Sequence, residues 1–382
     1  MRICIVYDCL FPWTIGGAQR WYRSLAERLS AQGHQVTYLT LTQWDPGDLP
    51  SVPGVTVIPV GPRMTLYDRG RRNLMPPLRF GLGVLLHLLR NGGSYDVIHT
   101  CSFPFFSLLA IGLVRPFGRF RVICDWFEVW SRTYWRQYLG KFGGEIGWLV
   151  QWLCTKVSQR AYAFSRLHAE RLRALGLRGQ IRILTGIYEG SLAAPEPVPP
   201  ADPPVIVYAG RMIPEKRVVL LIDAIAVASR SIPGLRSVIF GKGTELDRVR
   251  ERIAALSLDN VVSLPGFVPS EDVSDAMARS VCVVQPSSRE GYGLVVVEAS
   301  ALGAPAVVID GEDNAAVELI EPGRNGFVAQ TPDADALAEE IIRCWRGGDA
   351  LRAATREWYG QNAVRLSLRH SLDEVVTGYS VG

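Results

Sequence analysis

Two carboxylates eight positions apart, Glu290 and Glu298, are well placed for chemistry in this sequence. The segment between them breaks at glycine and then runs into an apolar helix. A helix that begins near Gly293 or Leu294 would present free N–H groups and a positive dipole end, which suit a phosphate group. At roughly 1.5 Å per helical residue and ~3.3 Å per extended residue, the carboxylates can lie on the order of 10 Å or more apart. That span fits a sugar diphosphate, with Glu290 at the sugar hydroxyls and Glu298 at a ribose diol.

Two cations follow the carboxyl end of a predicted strand further upstream. The strand is Val205–Ala209, and Gly210, Arg211 and Lys216 come after it. Ligands of open parallel sheets bind beyond the carboxyl ends of the strands. Arginine offers a planar fork to phosphate oxygens and lysine a compact charge. The chain has 4 lysines against 37 arginines, so a lysine here is unusual for this sequence. The alternative is an ordinary solvated pair of cations near a helix start.

Together these residues resemble the nucleotide-sugar site of retaining glycosyltransferases of the GT-B fold, in particular glycosyltransferase family 4. The resemblance rests on Gly210-Arg211 with Lys216, and on Glu290 and Glu298 separated by seven residues. It extends along most of the chain. Further segments that resemble the family are Met1 to Ala18, its first strand and glycine loop, and Asn314 to Ile320 with Asn325-Gly-Phe, its last strand–helix units.

The resemblance implies a role for each matching residue. Arg211 and Lys216 would hold the donor diphosphate, Glu290 would bind the donor sugar, and these three would form the catalytic group. Glu298 would bind the ribose, and Gly17 would let the backbone approach the phosphate. The residues implied in donor binding are Gly16, Gly17, Arg211, Lys216, Gly291, Tyr292, Gly293, Leu294 and Glu298.

Short apolar runs alternate with helical patterns along the whole chain, which predicts parallel sheets covered by helices. The resemblance implies an α/β fold of the GT-B type, with two Rossmann-like doubly wound parallel-sheet domains facing a cleft. We predict an acceptor-binding domain at residues 1–188, a proline-rich linker at 189–204 and a donor-binding domain at 205–357. The family further implies a crossover helix, from about 358–382, that packs back on the first domain.

The apolar runs give specific element boundaries. Predicted strands are Ile3–Tyr7, Gln35–Leu41, Val55–Pro59, Asp96–Thr100, Arg121–Asp125, Val205–Ala209, Ser237–Phe240, Val261–Leu264, Val281–Gln285, Pro305–Ile309 and Gly326–Val328. Predicted helices of the first half are Ala18–Ser30, Leu78–Arg90, Phe105–Leu113 and Glu145–Arg160.

Composition sets outer limits on the class of protein. With 382 residues, 48% hydrophobic and 20% charged, the chain suits two globular domains. No apolar run reaches the roughly 18 residues of a membrane span. The chain leads directly into a strand without the regions of a secretory signal, so we expect a cytoplasmic protein. Seven scattered cysteines then fit reduced thiols better than disulfides or a zinc site.

Charge is uneven along the chain. Residues 1–190 hold 23 Lys and Arg against 11 Asp and Glu, whereas the remainder holds 18 against 26. A basic acceptor domain favours an anionic lipid headgroup, a lipid-linked glycan or peripheral contact with the inner face of the cell membrane. The arginines at 69, 71, 72 and 79, beside Met75 and Phe80, could be such a contact. The alternatives are a solvated basic face or a nucleic-acid patch, and we predict no nucleic-acid partner.

The acceptor side departs from the family pattern. His99 ends a predicted strand, but many family members carry a functional histidine two positions further on, where this chain has Cys101. Asp125 and Glu128 follow the next strand, and Phe127 stands where a subgroup has histidine before the glutamate. We predict His99, Asp125 and Glu128 as acceptor-binding residues. The alternatives are a strand-end histidine with satisfied hydrogen bonds and carboxylates that cap a helix or pair with a cation.

Mechanism follows from charge placement. Breaking the anomeric bond places negative charge on the leaving diphosphate, where Arg211, Lys216 and a helix N-terminus stabilise it. No metal ion or other cofactor is then required beyond the nucleotide-diphosphate sugar as co-substrate. The resemblance implies transfer with retention to an acceptor hydroxyl of a lipid-linked or cell-envelope glycan. A nucleotide-sugar 2-epimerase, a phosphorylase and a non-catalytic nucleotide-sugar-binding scaffold stay open as alternatives.

Overall fold

The computed structural model describes residues 1–14, 16–45, 47–48, 50–68 and 71–380. Contacts between residues divide the chain into two compact units. Unit 1 comprises Met1–Ile187 together with the residues from Ser371 onward, and unit 2 comprises Tyr188–His370. In the described ranges, no helix is both long and apolar enough to cross a membrane.

Unit 1 is built on a parallel sheet of seven strands. These are β1 (Arg2–Val6), β2 (Gln35–Leu41), β3 (Val55–Gly61), β6 (Val97–Cys101), β7 (Arg121–Trp126), β8 (Gln159–Ala163) and β9 (Gly179–Ile183), and a separate antiparallel pair consists of β4 (Tyr67–Asp68) and β5 (Arg71–Arg72). The strand order is β3-β2-β1-β6-β7-β8-β9, so the chain runs outward in both directions from β1. The predicted first-half strands all occur, while β8 and β9 were not predicted.

Helices connect the strands of unit 1. They are α1 (Gly17–Ala31), α2 (Met75–Asn91), α3 (Phe106–Val114), α4 (Arg132–Thr155) and α5 (Arg166–Ala174). The predicted helix Glu145–Arg160 was wrong at its end, because residues 159 and 160 belong to β8. Gly140 has φ 75° and ψ 173°, which divides α4 into two segments. They pack closely, since a Cβ at Gly147 would lie 2.3 Å from the Trp135 ring.

Unit 2 repeats the architecture with a six-stranded parallel sheet. Its strands are β10 (Val205–Ala209), β11 (Arg236–Phe240), β12 (Val262–Gly266), β13 (Cys282–Gln285), β15 (Ala306–Ile309) and β17 (Gly326–Ala329), and the short strands β14 (Arg289–Glu290) and β16 (Asp313–Asn314) form a parallel pair. The sheet order is β12-β11-β10-β13-β15-β17. All six predicted strands occur, and β10 has the predicted bounds. Its helices are α6 (Val218–Ala228), α7 (Leu246–Ala255), α8 (Ser270–Arg279), α9 (Leu294–Ala301) and α10 (Ala334–Leu366). A last helix, α11 (Leu368–Ser380), follows, and its residues from Ser371 onward belong to unit 1.

The proline-rich segment 189–204 packs on unit 2. The Tyr359 hydroxyl donates to the Ser191 carbonyl at 2.5 Å, and the Ala201 N–H donates to the Arg279 carbonyl at 2.8 Å. These bonds hold both halves of the segment against helices of the unit. The segment that we predicted as a linker therefore groups with unit 2 by its contacts.

The last helix, α11, anchors in unit 1. Arg28 forms an ion pair with Asp373, and Arg121 Nη2 donates to the Tyr379 carbonyl at 2.5 Å. Arg160 donates to the Gly378 carbonyl, so two arginines cap the C-terminal end of the helix, where its dipole favours positive charge. The predicted return to the first domain began at about residue 358, whereas the contacts with unit 1 define a return at Ser371.

Candidate active site

Two loops meet at the carboxyl end of the unit 2 sheet, where β10 and β13 are neighbours. The Gln285 side chain at the end of β13 donates to the Ala209 carbonyl at the end of β10, at 3.0 Å. Further out, the Ser288 N–H and hydroxyl both donate to the Glu215 carbonyl, at 2.8 Å and 3.2 Å. These bonds tie the loop after β13 to the loop after β10. They thereby hold together Lys216 and Glu290, which lie 74 positions apart in the sequence.

As a result, Lys216 and Glu290 are in direct contact. Lys216 Nζ donates to Glu290 Oε1 at 2.5 Å. The side chains are 18% and 16% exposed, so the pair is partly shielded from water but still accessible. Shielding strengthens the attraction between the two charges relative to an exposed pair. Each charge can therefore be held in place by the other while one side of the pair stays open to a ligand.

Arg211 lies on the same loop, one residue after Gly210, and its side chain is exposed. Within the part of the chain that the structure describes, it forms no salt bridge. The neighbouring Tyr208 hydroxyl donates to the Arg211 carbonyl at 2.9 Å. Burial raises the pKa of Tyr208, the Glu290 carboxylate raises it further, and the Arg211 guanidinium lowers it. The charges of Arg211 and Glu290 therefore both act on the buried phenol of Tyr208.

The turn from Glu290 into α9 requires glycine at position 293. Gly293 has φ 101° and ψ 45°, in the left-handed region, and it precedes the first helical residue, Leu294. A Cβ there would lie 2.5 Å from the Ala316 Cβ and 2.9 Å from its Cα. Gly291 is partly exposed and Tyr292 is buried. The N-cap residue Gly293 has no side chain that could cap α9, so no N-cap side chain competes with an anion at the start of the helix.

Asn314 holds this loop in place, and sequence analysis did not identify it as a site residue. In the short parallel pair, Asn314 lies opposite Glu290. Its buried amide nitrogen donates to the Ser287 carbonyl at 3.2 Å and to the Ile309 carbonyl at 2.7 Å, and its oxygen accepts from the Ala316 N–H at 3.1 Å. The amide therefore links three chain segments around the site. The only signal for Asn314 in the sequence was that the segment Asn314 to Ile320 resembles the family.

Glu298 lies on α9, and its side chain is partly buried. Tyr188, the first residue of unit 2, lies near it, since burial and then the Glu298 carboxylate raise the pKa of Tyr188. Tyr188 is itself fixed by its backbone, whose N–H donates to the Leu366 carbonyl at 3.1 Å and whose carbonyl accepts from the Leu368 N–H at 2.8 Å. Sequence analysis gave no signal for Tyr188, because 110 positions separate it from Glu298.

The glycine pair Gly16-Gly17 in unit 1 stands at the start of α1. Gly16 is the N-cap and Gly17 the first helical residue, and a Cβ at Gly17 would meet nothing within 4 Å. The preceding loop is braced by Gln43, whose side-chain oxygen accepts from the Leu10 N–H at 3.0 Å and from the Thr14 hydroxyl at 2.5 Å. The backbone at Gly17 is therefore open to close approach.

His99 and Asp125, two of the three residues predicted to bind the acceptor, are completely buried in unit 1. His99 Nε2 lies 2.9 Å from Asp125 Oδ2, which also accepts from Trp21 Nε1 at 2.7 Å. On the other side, His99 Nδ1 lies 2.5 Å from the Tyr379 hydroxyl. The structure therefore brings the two residues together, but inside the unit and without an exposed surface for a ligand. Their contact with an acceptor stays a prediction.

Glu128 differs from that pair, because it is partly exposed. Its Oε2 accepts from Trp130 Nε1 at 2.6 Å. Of the three predicted acceptor residues, Glu128 is the one whose surface a ligand could reach in the described conformation. No group of three His, Cys, Asp or Glu side chains among the described residues is arranged to hold a metal ion.

Two family models match the chain, one in each unit. The model of Glycosyltransferase Family 4 matches residues 15–185, and the model of glycosyl transferases group 1 matches residues 193–363. Between them they account for most of the sequence.

Two similar proteins come from bacteria. The chain is 37% identical over 172 residues to the exopolysaccharide phosphotransferase SCO2592 of Streptomyces coelicolor, a match that covers 45% of this chain and 17% of that protein. It is 28% identical over 167 residues to the GDP-mannose-dependent alpha-(1-6)-phosphatidylinositol monomannoside mannosyltransferase of Mycolicibacterium smegmatis. That match covers 41% of this chain and 43% of that protein. The chain thus spans less than half the length of either relative.

Solved structures are similar over the whole chain. Sucrose-phosphate synthase from Thermosynechococcus elongatus has a TM-score of 0.76 and 20% identity, covering 99% of this chain and 98% of that one. The Anabaena protein HepE in complex with UDP-glucose has a TM-score of 0.69 and 18% identity, with complete coverage of both chains. At these identities the likeness shows the fold, which is GT-B. Fold and family models agree, and the chain belongs to glycosyltransferase family 4.

Proposed function

We propose that this protein is a retaining, metal-independent glycosyltransferase that moves a hexose from a UDP- or GDP-sugar to an acceptor hydroxyl. The observation that carries the proposal is the Lys216–Glu290 pair, 2.5 Å apart at the carboxyl end of the unit 2 sheet. A cation for the diphosphate and a carboxylate for the sugar hydroxyls are what a nucleotide-sugar donor needs side by side. The structural likeness to HepE, which was solved in complex with UDP-glucose, supports a donor of this class.

In this proposal the charges act on the leaving group. As the anomeric bond breaks, negative charge grows on the diphosphate, and Lys216, Arg211 and the uncapped start of α9 are positioned to stabilise it. A metal ion is then not needed for that purpose. Glu290 orients the sugar and Glu298 binds the ribose. The acceptor oxygen bonds to the anomeric carbon on the face that the diphosphate leaves, and its proton passes to a donor phosphate oxygen.

The acceptor in this proposal is a lipid-linked or cell-envelope glycan. The two bacterial relatives, an exopolysaccharide enzyme and a phosphatidylinositol mannoside mannosyltransferase, support that class. The positive charge of the first half of the chain suits an anionic acceptor. The proposal places the protein in the cytoplasm, in peripheral contact with the inner face of the cell membrane, and requires no cofactor beyond the donor.

Lys216→Ala and Glu290→Ala test the site directly. We expect each to lower turnover by about 10²-fold or more, because each removes a charged group from the reacting centre. Thermal stability should change little, since both side chains are partly exposed. Arg324→Ala, which breaks the exposed ion pair with Glu321 in the same unit, is the matched control and should keep full activity. The measurement is acceptor-dependent release of nucleoside diphosphate from UDP- and GDP-sugars, with and without a chelator.

Other results would contradict parts of this proposal. Wild-type turnover in both variants would show that the site assignment is wrong. Loss of turnover with the chelator, restored by a divalent cation, would contradict metal independence. An altered sugar in the absence of acceptor would indicate an epimerase, and donor binding without any turnover would indicate a scaffold.

A further inference from the structure

The outward side of α2 carries an apolar stripe along its whole length. Its buried side contributes Phe80, Val84 and Leu88 to the core. A surface helix ordinarily presents polar residues on the opposite side. Here exposed large apolar residues recur every three or four positions from Met75 onward, at Met75, Leu78, Leu82, Leu86 and Leu89, and the N-cap residue Leu74 adds one more. Isolated exposed leucines are common, but a stripe of this length marks an interaction surface.

A second apolar stripe runs along the later segment of α4. Its exposed residues are Phe142, Ile146, Leu149 and Leu153, and Leu113 with Phe117 add two more at the end of α3. The helices α2, α3 and α4 connect β3, β6, β7 and β8, which advance in one direction across the sheet, and right-handed crossovers place such helices on one side. Their buried residues share one core cluster. We call the exposed residues of the two stripes, with Leu113 and Phe117, the leucine surface.

The charges around the leucine surface are positive. The sequence from residue 69 to residue 95 contains no Asp or Glu, and the exposed side of α2 carries Arg79 and Arg90. In α4 the one acidic residue, Glu145, is paired with both Arg132 and Arg136. Apolar side chains bordered by arginines fit the boundary between acyl chains and anionic headgroups, where each basic residue adds to the attraction.

We propose that the leucine surface docks this protein on an anionic lipid bilayer, with the leucines of α2 and α4 inserted at the headgroup boundary. A second copy of the chain fits less well, because a two-fold interface uses the same surface of both copies and would gather the arginines of both at one interface. The proposal deepens the proposed function and rests on it for the reason to bind a membrane, since a lipid-linked acceptor is presented there. The proposal also assigns the membrane contact to the exposed sides of α2, α3 and α4, whereas the sequence predicted it at the arginine cluster. Of that cluster, Arg69 lies outside the described residues.

The test is co-sedimentation of the full chain with phosphatidylcholine vesicles, with and without phosphatidylglycerol. We expect binding to the mixed vesicles that weakens as salt increases. The double variant Leu82→Gln, Leu86→Gln should bind about ten-fold or more weakly, because two exposed apolar side chains are lost. Arg79→Glu should weaken binding by about five-fold or more through charge. Val364→Gln alters an exposed apolar residue in unit 2 and should bind like the wild type.

The vesicle assay contains neither donor nor acceptor, so its result is independent of transfer activity. Retained melting temperature and nucleotide-induced stabilisation would show that the double variant is folded. Absence of wild-type binding, or equal binding by the wild type and the double variant, would overturn the proposal. Dimerisation that the double variant abolishes, without vesicle binding, would assign the surface to a second copy instead.

Discussion

Asn314 shows how a single buried amide can control the site without contacting a ligand. It accepts one hydrogen bond and donates two, to the segments at Ser287 and Ile309 that flank the Glu290 loop. Asn314→Ala removes a hydrogen-bond partner from three buried backbone groups. We expect a loss of about 2–4 kcal/mol of unfolding free energy and a fall in turnover of about 10- to 100-fold, because Glu290 loses its position. Denaturant titration and donor turnover measure the two effects.

The variant Asn325→Ala is a control that separates the loss of stability from the loss of turnover. Asn325 is also buried in unit 2, and its amide bridges the Glu321 N–H and the Leu319 carbonyl. This variant should lose comparable stability but keep its turnover at a temperature where it remains folded. If both variants lose activity in proportion to stability, Asn314 is a purely structural residue.

Residue-scale reasoning from sequence identified the charged groups and missed what positions them. The charges of Lys216 and Glu290 are visible as residue types at strand ends, and the structure brings them into contact. The environment of His99 was not visible, because Trp21 and Tyr379 come from opposite ends of the chain. A pattern of nearby residues cannot show that a strand-end histidine is enclosed by partners so distant in sequence.

At the scale of elements, the turn into α9 links the Glu290 strand to the Glu298 helix. Gly293 must adopt φ 101° while its Cα faces Ala316. Gly293→Ala combines the cost of a left-handed residue, about 1–2 kcal/mol, with overpacking of about 1–3 kcal/mol. We expect a total loss of roughly 2–5 kcal/mol of unfolding free energy and weaker nucleotide binding, because the helix start shifts. Calorimetry with and without UDP or GDP measures both.

Gly323→Ala is the matched control for this prediction. Gly323 has φ 80°, but a Cβ there would meet nothing within 4 Å. The control should show only the cost of the left-handed conformation and unchanged nucleotide binding. Equal losses in the two variants would mean that the contact with Ala316 does not constrain the turn.

Elements with a clear apolar pattern were predictable, and those without one were not. The strand β2 is buried along most of its length and has the predicted bounds, Gln35–Leu41. In contrast, β8 and β9 contain Gln159, Arg160, Gln180 and Arg182, so their sequences lack a continuous apolar run. They form because the neighbouring strands provide hydrogen-bond partners, which is a tertiary effect. The kink at Gly140 was likewise not visible in the helical pattern of α4.

At the scale of the whole molecule, the chain leaves unit 1 once and returns to it with α11. The stability of unit 1 therefore depends on residues that come after the whole of unit 2 in the sequence. Leu372, Val375 and Tyr379 are buried in this return, and Tyr379 reaches the enclosed His99. Fully burying three side chains of this kind contributes roughly 5–9 kcal/mol, which is comparable to the net stability of a typical domain, about 5–15 kcal/mol.

A chain that ends at His370 should consequently lose the folded state of unit 1 while unit 2 remains folded. The sheet of unit 2, the Lys216–Glu290 pair and the backbone contacts of Tyr188 all lie before that point. We expect calorimetry to show one transition fewer than in the full chain, and we expect nucleotide to raise the melting temperature of the remaining transition. Tyr379→Phe keeps the buried ring and removes only the hydroxyl beside His99, so it should lower stability by about 1–3 kcal/mol without unfolding the unit. A truncated chain that melts like the full one would show that α11 is dispensable for unit 1.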